Sequence, residues 1–190
     1  MAEEAKTFLA VHLPYRLQAI HGLGIACELL LLANQPQQVR ILFDDVTVFE
    51  AASHRDITNA MLESGLNHCR GLLAFLGIAL DHRAGRLVTA AERTKATDIT
   101  MSTLGLKPIT LAELRRAPGR GGDDTEAACA TAMIMAHKGV VHMTTAKRPA
   151  NSYESCLAAS EIVTWAVREF VYGQLRMPFP GEESIAPGAD

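Results

Sequence analysis

Along the chain, apolar residues recur at alternating steps of three and four, the spacing that turns one face of a helix toward a core. Leu13, Leu17, Ile20, Gly24, Cys27 and Leu31 form the first such stripe, and Pro14 suits the opening turn of a helix running to about Ala33. Gly24 weakens that helix, so a close approach to another helix is expected there. Asn34-Gln35-Pro36 breaks the pattern. Val39, Leu42, Phe43, Val46 and Phe49 then predict a second helix, which the β-branched Val46-Thr47-Val48 fits least well. Ser53, with Asp56 three residues on, predicts the cap of a third helix reaching about Leu80. Its expected core stripe is Ile57, Met61, Ser64, His68, Gly71, Phe75 and Ile78, flanked by a polar seam of Asp56, Asn59, Glu63, Asn67 and Arg70.

Periodicity fades over residues 81–121, where only Leu111–Arg116 looks helical and Pro118-Gly119-Arg120-Gly121-Gly122 reads as a loop. Asp123 or Asp124 is expected to cap a fourth helix of small residues ending near Lys138-Gly139. Residues 140–150 form a connector, and Ser152 begins a last helix to about Leu175. The pattern therefore predicts an all-α fold: a bundle of four or five long helices with a loop-rich insertion at about 81–121. One domain is expected over 1–176, followed by a flexible tail over 177–190 that is rich in Pro and Gly.

Composition narrows the function classes. Aromatics make up only 5% of the chain, which suits closely packed helices better than a β-sandwich. A net charge of −3 argues against a general nucleic-acid binder while allowing a local basic patch. Cys27, Cys69, Cys129 and Cys156 are scattered through apolar helical patterns with no C-x-x-C, so buried reduced thiols in a cytoplasmic protein are expected. The acidic opening stretch lacks the basic region of a signal peptide. The apolar run Ile25–Ala33 is nine residues long, too short for a bilayer that needs roughly twenty.

Two polar clusters stand out against the helical background. The first is Glu63-Ser64, His68 and Arg70; the second is His137-Lys138, His142, Thr144 and Arg148. Imidazole and charged groups on partly buried helices need polar partners, so the two clusters are expected to meet if the connector folds back on the third helix. His68, Arg70, His142 and Arg148 would then line an anion pocket, since a guanidinium takes phosphate or carboxylate through two hydrogen bonds. A carboxylate such as Glu63 would orient an imidazole. The bland alternative makes His68 a satisfied structural group, and His137-Lys138 cations placed favourably at a helix C-terminus. Metal chemistry is not expected: helical di-iron sites need Glu-x-x-His or His-x-x-x-His, whereas Glu63 to His68 and His137 to His142 are each five apart. There is no nucleophile elbow, P-loop or dinucleotide fingerprint.

The blocks Glu63-Ser64, His68, Arg70, Phe75 and His137-Lys138, His142, Thr144, Arg148 resemble the two signature blocks of a family of small bacterial helical proteins, itself similar to the HEPN group. The resemblance spans about residues 53–175. It implies a helical-bundle domain of the kind found in toxin–antitoxin, phage-defence and nucleotide-binding contexts. Ribonuclease members of that group carry an Arg followed four to six residues later by a His, and no Arg within the matched span meets that spacing before a His. The leading expectation is a binding protein that recognises a partner or a small anionic ligand, a nucleotide or RNA phosphate, through Glu63, His68, Arg70, His137, His142, Thr144 and Arg148. It carries no cofactor, no metal and no membrane segment. Two alternatives stand beside it. One is a HEPN-like metal-independent ribonuclease using His68 or His142 with Arg70 or Arg148. The other is a structural homodimer assembled through the small-residue faces of the first and fourth helices.

Overall fold

A computed structural model of the chain describes residues 3–33, 35–90, 99–137 and 151–182. Its centre is four packed helices: α2 (Leu13–Leu32), α3 (Arg55–Leu76), α5 (Gly122–Met135) and α6 (Ser152–Val167). A short α1 (Glu3–Thr7) runs into α2 through a wider π-helical turn, and a similar turn, Arg168–Gly173, extends α6. α2 packs on α3 and α6, and α5 packs on α6 and α3. Leu13, Ile20, Leu23, Leu66, Leu72, Leu73 and Leu76 are completely or almost completely withdrawn from solvent between them.

The all-α expectation is overturned by two antiparallel hairpins. The first, β1 (Val39–Phe43) with β2 (Val46–Ala51), occupies the place of the predicted second helix. Val39, Leu42, Phe43, Val46 and Phe49 fit a helical spacing, but β-branched side chains favour the extended backbone. Asp44 and Asp45 adopt φ of 47° and 65°, the double left-handed turn whose twist matches a two-residue hairpin. At the hairpin's foot, Gln37 N–H donates to His54 Nδ1 at 3.1 Å while His54 N–H donates to the Gln37 carbonyl at 2.7 Å.

The second hairpin follows directly from the end of α3. Gly77, at φ 100°, caps that helix four residues earlier than predicted and hands the chain to β3 (Ile78–Asp81), which pairs with β4 (Arg86–Thr89). A side chain at Gly77 would also strike Pro108, 2.7 Å away. The Asp81 carboxylate accepts the N–H groups of Arg83 and Ala84 in the turn, which holds its pKa below the ordinary carboxylate value. Ile78, Leu80 and Leu87 are buried, so this hairpin covers the core. The described residues of the predicted insertion beyond this hairpin, 99–121, also pack inward through Met101, Leu104, Ile109, Leu114 and Ala117. Within it, α4 (Leu111–Leu114) is set by a Thr110–Glu113 capping box. α5 is capped by Gly121, and Asp123 and Asp124 lie inside its first turn. The start of the predicted tail lies across the surface, where Phe179 meets Tyr172 edge-on at 5.4 Å and Arg168 pairs with Glu182 at 3.0 Å.

The predicted core stripe of α3 is displaced by one position. The buried residues are Thr58, Leu62, Gly65, Cys69, Leu72 and Leu76, with Leu66 and Leu73, while Ser64 is exposed and His68 only half-buried; Phe75 and, beyond the helix, Ile78 are buried as the predicted stripe has them. The reason is Gly65. A Cβ there would overlap Leu23 Cβ and lie 2.8 Å from the Ala19 carbonyl, so the backbones of α2 and α3 touch at this point. Gly24 is also at a tight approach, 3.3 Å from Ser160 Oγ on α6. On the small-residue face of α5, Ala128, Cys129, Ala132 and Ala136 are buried within the chain.

Gly65→Ala is therefore expected to lower stability. Overpacking a backbone contact costs up to about 3 kcal/mol, against a helix-propensity gain of about 1 kcal/mol. Gly22→Ala, which meets only Met61 Cε at 3.7 Å, should keep the propensity gain. Thermal denaturation followed by circular dichroism should place Gly65→Ala several degrees below the wild type and Gly22→Ala at or above it. An unchanged Gly65→Ala melting temperature would refute the backbone contact.

Candidate functional site

α2 and α3 run antiparallel, so steps away from the Gly65 contact bring successive pairs together: Gly22 with Met61 on one side, Arg16 with His68 and Gly71 on the other. Arg16 Nη1 lies 3.2 Å from His68 Nδ1. A guanidinium only donates, so Nδ1 is the acceptor and the ring proton sits on Nε2. Tyr15 stands edge-on to the same imidazole, ring centroids 5.4 Å apart at 86°. Arg16 and His68 are half-buried and Tyr15 is exposed. Burial, and then the neighbouring guanidinium, hold the His68 pKa below its ordinary value. The result is a neutral imidazole and a permanent cation with their remaining N–H donors available for an anion.

The other members of the first cluster do not join it. Glu63 and Arg70 are exposed, and at 3.6 residues per turn they lie roughly 140° and 160° around α3 from His68. They border the opposite flank of the core face, and neither makes an ion pair among the described residues. His137 is half-buried just beyond α5, its ring 4.4 Å from that of His82 in the β3–β4 turn. His142, Thr144 and Arg148 lie outside the described residues, and with them the expected meeting of the two clusters.

No group of three metal-ligating side chains occurs among the described residues. All four cysteines are buried thiols outside any disulfide. Burial pushes the Cys69 thiol up to about 12 and that of Cys129 well above its usual value, so these sulfurs are not thiolate nucleophiles. A hydrogen bond with Cys156 lowers Cys27 despite burial. An open groove of about 740 Å³ between α2 and α6, with Leu17, Leu157 and Trp165 on its walls and His21 and Arg168 among its polar groups, includes none of the predicted site residues. No helix among the described residues is long and apolar enough to cross a membrane.

No protein-family model, curated protein or solved structure matches this chain. The site therefore rests on its own geometry. Sequence reasoning missed Tyr15 and Arg16 because they adjoin the apolar stripe of α2, and only the helix crossing shows what they face. One signal was present: Arg16 is followed five residues later by His21, an Arg-then-His interval.

The pKa of His68 offers a direct check. Titrated by NMR, His68 is expected to ionise below the ordinary value near 6.5. Arg16→Gln should raise that value while leaving it below ordinary, because burial is the larger cause. The stability conferred by neutral His68 is complete above the unfolded value and is lost as pH falls through the folded one. A His68 that titrates at or above the ordinary value would remove the Arg16 contact.

Proposed function

We propose that this is a binding protein that holds a phosphate-bearing ligand, a nucleotide or an RNA phosphate, at the Tyr15–Arg16–His68 patch. The observation that carries this reading is the 3.2 Å contact between Arg16 Nη1 and His68 Nδ1 across two helices. It fixes a guanidinium and an Nε2–H donor side by side, and charge-assisted hydrogen bonds from such a pair favour an anionic oxygen. The exposed Tyr15 ring supplies a face on which a base stacks. The same contact disfavours acid–base catalysis by His68, whose free lone pair is directed at Arg16 and whose other nitrogen carries a proton.

A second reading is a metal-independent ribonuclease. It has the Arg16–His21 interval, of the kind HEPN ribonucleases carry, but that interval lies outside the span of the resemblance, and five residues set the two side chains roughly 140° apart around α2, so the binding reading comes first.

One experiment tests both. A fluorescently labelled single-stranded RNA is titrated with the protein in EDTA, following anisotropy and strand integrity. Salt-sensitive binding without cleavage is expected, with Arg16→Gln weakening it about tenfold, or ~1.4 kcal/mol. Arg70→Gln, on the far flank of α3, should leave it nearly unchanged. Equal affinity for Arg16→Gln and wild type would sink the binding reading; metal-independent cleavage lost in His21→Ala would install the ribonuclease.

A further inference from the structure

His82 and His137 are far apart in the sequence and side by side in the fold. α5 packs on both strands of the second hairpin, which carries the β3–β4 turn and His82 to the end of that helix. His137 follows just beyond Met135, and the two rings lie with centroids 4.4 Å apart and planes inclined at 44°. His82 is exposed and His137 half-buried, so an ion in solution reaches the pair. The hairpin is anchored by Ile78, Leu80 and Leu87 in the core, and α5 by its buried small residues, so neither element needs the imidazole contact in order to fold.

The ring separation is the one that a metal ion of particular geometry imposes. An imidazole nitrogen binds a first-row divalent ion at about 2.0–2.1 Å, which puts the ion roughly 3.2 Å from the ring centroid. Two rings held about 90° apart, as on a square-planar or octahedral ion, then have centroids about 4.5 Å apart; at the tetrahedral angle the figure is about 5.2 Å. The observed 4.4 Å matches the first of these. Their inclination is no obstacle, because each ring turns freely about its own metal–nitrogen bond. From this geometry we infer that His82 and His137 form a two-imidazole clamp for a divalent transition metal of square-planar or octahedral preference, Cu²⁺ above Ni²⁺.

The surroundings suit a cation. The ionised Asp81 carboxylate, fixed by the N–H groups of Arg83 and Ala84, adjoins His82 and interacts with it electrostatically. The C-terminal end of α5, beside His137, carries the partial negative charge of the helix dipole. Arg86, across the ladder from Asp81, offsets part of that charge, so the imidazole nitrogens supply most of the hold. Each ring gives one nitrogen, and a hydrogen bond at the other is the usual arrangement in metal sites. Water completes the coordination, since no third metal-ligating side chain joins the pair among the described residues. Spacing within one helix could not reveal this site, because its ligands come from two elements. It is independent of the phosphate reading.

Copper titration of the full chain tests it. CuCl₂ is added up to one equivalent to protein freed of metal by EDTA and dialysed, and the electron paramagnetic resonance spectrum is recorded. The four buried thiols do not compete. The wild type should bind one Cu²⁺ with splitting from two imidazole nitrogens. His82→Gln and His137→Gln should each lose one nitrogen and at least about tenfold in affinity, with unchanged helical circular dichroism. His12→Gln, at an exposed imidazole on the turn before α2, should bind as the wild type does. By calorimetry Ni²⁺ should bind more tightly than Zn²⁺. A wild type showing a single nitrogen or no binding, a two-nitrogen signal that survives either clamp substitution, or tighter Zn²⁺ than Ni²⁺ would overturn the proposal.

Discussion

The missing side chain at residue 65 is the constraint on which the rest of the structure depends. With no Cβ there, the backbone of α3 rests against Leu23 and the Ala19 carbonyl of α2, and the relative position of the two longest helices is fixed. Arg16 lies three residues before Ala19 and His68 three residues after Gly65. In an antiparallel pair these offsets point the same way, so both side chains arrive about one turn from the crossing and meet. A larger residue at 65 would separate the helices and with them the guanidinium and imidazole, although Gly65 touches neither. The half-burial that lowers the His68 pKa has the same origin, since the close crossing shields one side of the ring.

The two hairpins place one motif in two environments. In β3–β4, Ile78, Leu80 and Leu87 turn inward, and the pair closes the core at the end of α3. In β1–β2 the large apolar side chains are exposed, and among the described residues the reciprocal Gln37–His54 pair at the foot ties the hairpin to the start of α3. His54 Nε2 is buried without a hydrogen-bond partner among the described residues, and leaving a donor unmade costs on the order of 1–3 kcal/mol. The fold tolerates that penalty at the point where the hairpin leaves the body.

Parts of this arrangement were legible in the sequence for physical reasons. Leu13, Leu17, Ile20 and Cys27 are buried on α2, and the tight approach at Gly24 is present, because a stripe of large apolar residues interrupted by one glycine has few other solutions. α3 was harder. Two stripes of identical spacing lie side by side on it, and the one containing Leu62, Gly65, Cys69, Leu72 and Leu76 is buried, while of its neighbour Phe75 is buried and Ser64 and His68 are not. The leucines already favour that stripe over one through Ser64, His68 and Gly71; what a linear reading misses is the close backbone approach that Gly65 allows. The first hairpin was hidden by a coincidence of spacing, and its two adjacent aspartates at the turn were the clue that outweighed it. Glu63 and Arg70 looked like companions of His68 in the linear sequence, but a rotation of 100° per residue sends them to the other flank.

The chemistry of the Arg16–His68 pair follows from its charge state. Two cations 3 Å apart on a half-buried surface would repel, and the shift of His68 toward neutrality removes one of them. What remains is a permanent positive charge on a planar fork of donors, one of which is spent on His68 Nδ1. That bond holds the guanidinium in place over Gly71, where a side chain would narrow the space beside it. An arriving anionic oxygen would meet an oriented cation and an oriented Nε2–H, both fixed before binding, so little side-chain freedom is lost in holding it. The same rigidity works against proton transfer, because an imidazole whose lone pair is committed to a guanidinium has no free base to offer. The contact that favours recognition at this patch is thus the one that weakens the case for His68 as a catalyst.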